Sequence, residues 1–485
     1  MASARDRARR GTVPRHRRRG SRRPDRKHAR RRLIGYGNRG AVIPTLTPEQ
    51  RRTITTLAYP IIGAMASQNI VNLVDTAMVG SLGTTALAAV GMSSFVNFMA
   101  VSFMMGMSSG VQAMCARWRG AGRSGEIAKP LNGGLLLAAM ICIPATAVLI
   151  LATPAIFSAI SPDPAVRDAG TAYLRLRLFG MTAVGLNFSF RGYWNAINMS
   201  RLYMTTLISM HLAGIALNWI LIFGHLGAPA LGVEGAGLSN AISQWVGTAV
   251  YFSMAWHYGR SEGFLAGLPS RETMRAMFAI SMPAGLQQLL FASGMLALFA
   301  ILARVGTAEV AAGNVLINVM LVTILPSIGF GLAAATLVGQ SLGAGDKAEA
   351  YEWGWRVARF AAIFVAVLTL PALVSPDLVL LPFLRDAATR DLAIWPLRIA
   401  ALFAPLECVA AVLMNAHLGA GSSRTVLAVS VATQWGAFLP LAWLLGPVLG
   451  LGLIAIWSAQ AAYRMLNLSL FAWSWRRRAW AGVNF

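Results

Sequence analysis

An all-α membrane protein, with twelve spans arranged as two six-helix lobes, is predicted by three features of this sequence. Only 12% of its 485 residues are charged and 56% are hydrophobic, whereas a soluble chain carries about 25% charged residues. Apolar runs of about 20 residues or more recur along the chain, each able to cross a hydrocarbon core of about 30 Å. A repeat with an offset of 223 residues relates the first half to the second.

The predicted spans run roughly over 57–80, 88–115, 130–153, 170–197, 202–224, 234–257, 277–303, 310–338, 353–375, 392–418, 425–446 and 451–474. Polar or Gly/Pro breaks separate them, such as SPDPAVRDAG at 161–170 and GAGDKAEA at 343–350. Their orientation follows from the Lys/Arg bias of the connections. Fifteen basic residues fall on one side: Arg117, Arg119, Arg123, Lys129, Arg201, Arg260, Arg271, Arg275, Lys347, Arg356, Arg359, Arg424 and Arg476 to Arg478. Four fall on the other: Arg167, Arg304, Arg385 and Arg390. The richer side is read as cytoplasmic, which puts both termini in the cytoplasm of a cell with this chain in its inner membrane.

The repeat is densest in two stretches. NLVDTAMVGSLGTTALAAVG at 72–91 has its echo in ARVGTAEVAAGN at 303–314. Pro60 pairs with Pro283, Gly106 with Gly329, Gly120-Ala121-Gly122 with Gly343-Ala344-Gly345, and Arg201 with Arg424. Each half holds six spans, so both halves enter from the same side. They should be related by a pseudo-twofold axis along the membrane normal and enclose a cleft. The expected divisions are a basic, disordered tail at 1–52, a first lobe at 53–258, a linker at 259–276, a second lobe at 277–474 and a terminal segment at 475–485.

The net charge of +24 is uneven. Residues 1–52 hold 18 Lys/Arg and 3 Asp/Glu, hence +15 of the total. Such a tail is expected to lie against anionic lipid rather than to bind nucleic acid. It lacks the apolar core of a cleavable signal peptide. The three cysteines, Cys115, Cys142 and Cys408, fit no metal spacing and read as small apolar fillers. No Walker A, G-x-S-x-G or H-E-x-x-H sequence is present, so the chain is not read as an enzyme and no cofactor is expected. Energy for transport must then come from an ion gradient or from the solute.

Ionisable residues within spans carry the functional signal. Asp75 stands about five residues from the outer end of the first span, and its repeat partner is Leu298. Gln68, Asn72 and Asp75 fall on one helical face. This is a candidate site for a proton or a sodium ion, with no cation of the chain expected at its depth. Asn218, Asn240 and Gln244 (with Ser243) lie at a similar level, and Asn187 lies near mid-depth. Glu407, whose repeat partner is Val184, is near the middle of the tenth span. Arg191 and Arg464 are expected to extend to the headgroups. His211, His257 and His417 read as isolated packing residues. Met99, Met104, Met105 and Met107 with Phe95, Phe98 and Phe103 enrich the second span, a surface able to accept varied apolar ligands.

Pro60, the run DTAMVGSLGTTALAAVG at 75–91, RGAG at 119–122 echoed by LGAG at 342–345, and LNWILIFG at 217–224 followed by LGVEGAGLSNAIS at 231–243 resemble the multidrug and toxic compound extrusion (MATE) family, in its NorM-like and DinF-like branches. The resemblance covers about residues 55–475. It implies export of small organic compounds, mostly cationic amphiphiles, in exchange for protons or sodium ions, by a functional monomer. It places the family's first-lobe acid on Asp75, its polar pocket on Asn218 and Asn240, and a second-lobe acid on Glu407. A second acid near Asn218 and an acid in the seventh span, carried by some members, are absent here. The alternative within transport is a flippase for lipid-linked or polysaccharide substrates. That reading favours fourteen spans and a strongly basic cavity. A membrane-bound transferase would need clustered His, Asp or Ser at a membrane boundary, which the sequence lacks.

Overall fold

A computed structural model describes residues 46–384 and 386–482. The extension at residues 1–45, read above as a disordered tail, lies outside the described residues. Twelve helical rods follow one another. In the first half they are α1 (Pro48–Gly80), α2 (Thr84–Gly120), α3 (Lys129–Ile160), α4 (Pro164–Leu178 and Met181–Ala196), α5 (Ser200–Phe223) and α6 (Gly232–Tyr258). In the second they are α7 (Arg271–Val305), α8 (Thr307–Gly343), α9 (Lys347–Val374), α10 (Ala387–Gly419), α11 (Ser423–Val448) and α12 (Gly452–Arg477). No strand occurs among the described residues. The fold is all-α, polytopic and two-lobed.

The rods outrun the apolar segments because caps, not hydropathy, set their ends. Asp163 accepts a hydrogen bond from the Ala165 amide (2.9 Å) and Pro164 opens α4. Ser270 caps α7, Asp346 caps α9 and Asp386 caps α10 in the same way. Among the described residues, nine rods are long and apolar enough to cross a membrane. The three that fall short carry polar groups within the span: Arg177 and Arg191 in α4, Asn240 and Gln244 in α6, Gln460 and Arg464 in α12. In lipid such groups must face protein or water.

Two local irregularities shape the bundle. α4 breaks at Phe179-Gly180, where a side chain on Gly180 would sit 2.9 Å from the Ala241 Cα of α6. The Phe179 carbonyl freed by the break accepts the Trp245 indole N–H (3.1 Å). α11 contains two π-helical turns, Gln434–Phe438 and Leu444–Val448. The first lets the Gln434 side chain pack on Gly294 and donate to the Phe291 carbonyl (3.3 Å).

The repeat reappears as reciprocal contact between the lobes. A Cβ added to Gly120 would lie 1.9 Å from the Gln340 carbonyl oxygen, and one added to Gly343 would lie 2.0 Å from that of Arg117. Residues 120 and 343 are repeat partners, as are 117 and 340. Likewise Gly106 meets Gly285, and its partner Gly329 meets Ile62, the counterpart of Gly285. Such exchange is the signature of a twofold relation. Gln112 ties α2 to α8 by donating to the Leu332 carbonyl (2.9 Å) and to the Thr336 hydroxyl (3.0 Å). These inter-lobe contacts lie toward the ends of α2 and α8 that the charge bias assigns to the cytoplasm.

The connection between the lobes is held against the first. The Asn132 amide donates to the carbonyls of Gly263 (3.0 Å) and Gly267 (2.7 Å), and its oxygen accepts from the Leu265 amide (3.1 Å). The Glu262 carboxylate accepts from the Gly125 amide (3.1 Å).

Candidate functional site

In the first lobe α1, α2, α4, α5 and α6 enclose a cavity of about 570 Å³ lined by Asn72, Asp75, Tyr173, Arg177, Asn218 and Asn240. The helical period brings Asn72, Asp75 and Val79 of α1 to one wall. Asp75 Oδ1 accepts a hydrogen bond from Asn218 Nδ2 at 2.6 Å, a short contact of the charge-assisted kind. Phe95 and Phe98 of α2 supply an aromatic wall. Met104 and Met107 are buried in the helix core instead.

The sequence gives no cation at this depth, and the structure corrects that. Arg177 lines the same cavity as Asp75. Its guanidinium donates to the Tyr173 hydroxyl one turn away and faces that ring. The Tyr173–Arg177 spacing on one helical face was the available signal.

Gln68 does not line this cavity but leads to it. Its Nε2 donates to Asn72 Oδ1 (3.1 Å), and its Oε1 lies 3.0 Å from His211 Nε2. His211 Nδ1 in turn lies 3.1 Å from the Ser67 hydroxyl. His211 is therefore part of a polar chain from α1 to α5, not the isolated packing residue expected. His417 bonds Ser474 and the Leu413 carbonyl and packs on Trp475 and Phe471. Asn187 and Gln244 stand apart from the Asp75 cavity. Asn187 donates to the Gln244 carbonyl (3.1 Å) and accepts from Thr248 (2.9 Å), joining α4 to α6.

A second cavity, of about 220 Å³, lies between the lobes. Glu407 of α10 and Arg464 of α12 line it together and form an ion pair. Arg191 of α4 reaches it from the first lobe. Neither arginine extends to the headgroups as expected. Arg191 is 8% exposed; its Nε donates to the Ser108 hydroxyl (3.3 Å) and its guanidinium stacks on Phe188. Counting residues gives depth along a helix but not rotation, and rotation aims both arginines inward. Glu407 and Arg464 also border a smaller cavity inside the second lobe, walled by Phe291, Met295, Phe403 and Trp457. Among the described residues no group of three or more His, Cys, Asp or Glu is placed to hold a metal ion.

Two pseudosymmetric six-helix lobes around amphiphilic, partly charged cavities point to a polytopic membrane transporter. The MatE family model matches residues 60–220 and again 283–444, in the register of the repeat, and the chain belongs to that family. Among curated proteins it is 27% identical over 460 residues to a probable multidrug resistance protein NorM of Burkholderia pseudomallei (strain K96243), covering 92% of this chain and 96% of that protein. It is 24% identical to multidrug resistance protein MdtK of Yersinia pseudotuberculosis serotype O:1b, covering 82% and 88% respectively. A solved structure described as the outward-facing conformation of a multidrug resistance MATE family transporter superposes with a TM-score of 0.81 at 20% identity, covering 90% of this chain and 97% of that one. A transporter from Pyrococcus furiosus, described as having a binding pocket of reverse polarity, superposes with a TM-score of 0.80 at 20% identity, over 88% and 95%.

Proposed function

We propose that this chain exports organic amphiphiles, cationic ones among them, from the cell in exchange for protons that bind Asp75. The curated relatives, named as multidrug resistance proteins, support the breadth of substrate. The observation that carries the coupling is the Asp75–Asn218 contact inside the first-lobe cavity. A sodium ion wants several oxygen ligands, and among the described residues Asp75 is the only carboxylate lining this cavity. The Arg177 guanidinium in the same cavity further opposes a metal cation. A proton needs one oxygen, and Oδ2 is left for it.

Proton uptake removes the negative charge and with it the cost of keeping a carboxylate away from water. Loss of that charge reshapes the Asp75–Asn218 contact and biases the first lobe between two arrangements. Substrate and proton then alternate in the cleft. The site is read as complete in a single chain, in the cytoplasmic membrane, with both termini inside. Transport into everted vesicles under separately imposed gradients tests the coupling. A proton gradient alone should drive uptake of a cationic dye. Uptake that needs sodium, at fixed pH, would reassign the ion.

A further inference from the structure

The cavity between the lobes is the least explained polar feature of the molecule. Its lining carries three charges: Arg191 from the first lobe, and Glu407 and Arg464 from the second. Glu407 and Arg464 neutralise each other. Arg191 is left without a carboxylate among the described residues. Its neighbours include the Ser108 hydroxyl and the Phe188 ring, neither of them an anion. A buried guanidinium is costly to leave without an anion, and here it borders an open cavity. The rest of the wall suits an amphiphile. Met105, Phe291, Ile324 and Met414 offer apolar surface, while Gln287 and Asn415 offer amides.

We propose that this cavity binds amphiphiles that carry a carboxylate, with Arg191 as the residue that holds it. The inference rests on the efflux reading and adds a charge class to it. The substrates bound between the lobes are organic anions and zwitterions, in preference to simple cations. Arg191 presents a planar fork that matches a carboxylate's two oxygens. Its stacking on Phe188 and its bond to Ser108 fix the fork in place, so little freedom remains to be lost on binding. The repeat partner of Arg191 is Met414, so the charge is supplied from one lobe only.

The test uses a rhodamine with a free carboxylate and its methyl ester, which differ in that one charge. Binding to the purified full-length protein is read by fluorescence polarisation, and export is read in cells. The acid is expected to bind at least about tenfold more tightly than the ester, as a charge-assisted bond warrants. Benzoate should displace the acid from the unmutated protein. Arg191→Gln should bring the two affinities within about twofold of each other, and Arg191→Lys should keep part of the preference. Equal binding of acid and ester by the unmutated protein, or failure of benzoate to compete, overturns the inference whether or not the variants fold. An equal loss for both probes in Arg191→Gln overturns it too, because that marks a structural role. Export of the ester without any preference for the acid would sink this inference alone. Failure of cells to export either probe would sink the efflux reading.

Discussion

At the scale of single residues, the acid of each cavity has a donor beside it. Asp75 has Asn218 as its donor and Arg177 in the same cavity; Glu407 has Arg464. Asp75→Asn should insert normally yet reduce gradient-driven efflux to background, because the two arrangements of the lobe then bind a proton equally poorly. Asn218→Leu removes a hydrogen bond to a charged group, worth about 1.5–3 kcal/mol, so efflux should fall at least about tenfold while remaining above that of Asp75→Asn. Efflux measured at matched membrane expression decides both. A near-normal rate in Asp75→Asn would show that the acid is structural and that coupling lies elsewhere. The candidates Asp75, Asn72, Asn218 and Asn240 were legible because an acid or amide inside an apolar run has few bland explanations. The arginines were not. A guanidinium on a long stem satisfies the same sequence whether it reaches the headgroups or turns into a cavity, and only neighbouring helices decide between them.

At the scale of helices, the number and order of elements were readable from the apolar runs, and the pairing of halves from the 223-residue offset. Helix ends were less so, because capping residues such as Asp163 and Ser270 extend the rods past the apolar stretch. The break in α4 and the π turns in α11 left no pattern in hydropathy, since both answer to close approach of neighbours. The seal between α2 and α8 depends on bare backbone at Gly120 and Gly343. Gly343→Leu must push against the Arg117 carbonyl, and overpacking of this kind costs about 1–3 kcal/mol. It should lower the melting temperature and make a cysteine introduced in place of Gln340 reactive in membranes. Gly436→Leu, with nothing within 4 Å of the added Cβ, is the control and should change neither. An unchanged melting temperature in Gly343→Leu would mean that the lobes meet there only loosely.

At the scale of the molecule, the fifteen-to-four division of basic residues predicts the orientation in the bilayer. A cysteine replacing Asp163 should react with an impermeant thiol reagent from outside intact cells, and one replacing Arg476 should react only after permeabilisation. The opposite result would invert the chain and, with it, the side from which the proposed proton would reach Asp75.

The swapped glycine contacts carry a consequence for how such a protein can change. Two identical halves meeting this way would be a homodimer, and any substitution in one would appear in the other. Joined in one chain, the halves keep the shared docking geometry but are inherited as separate texts. A negative charge can then stand opposite Leu298, a positive one opposite Met414, and an ion pair can occupy one lobe alone. The covalent link turns a symmetric container into one whose two walls can be edited independently.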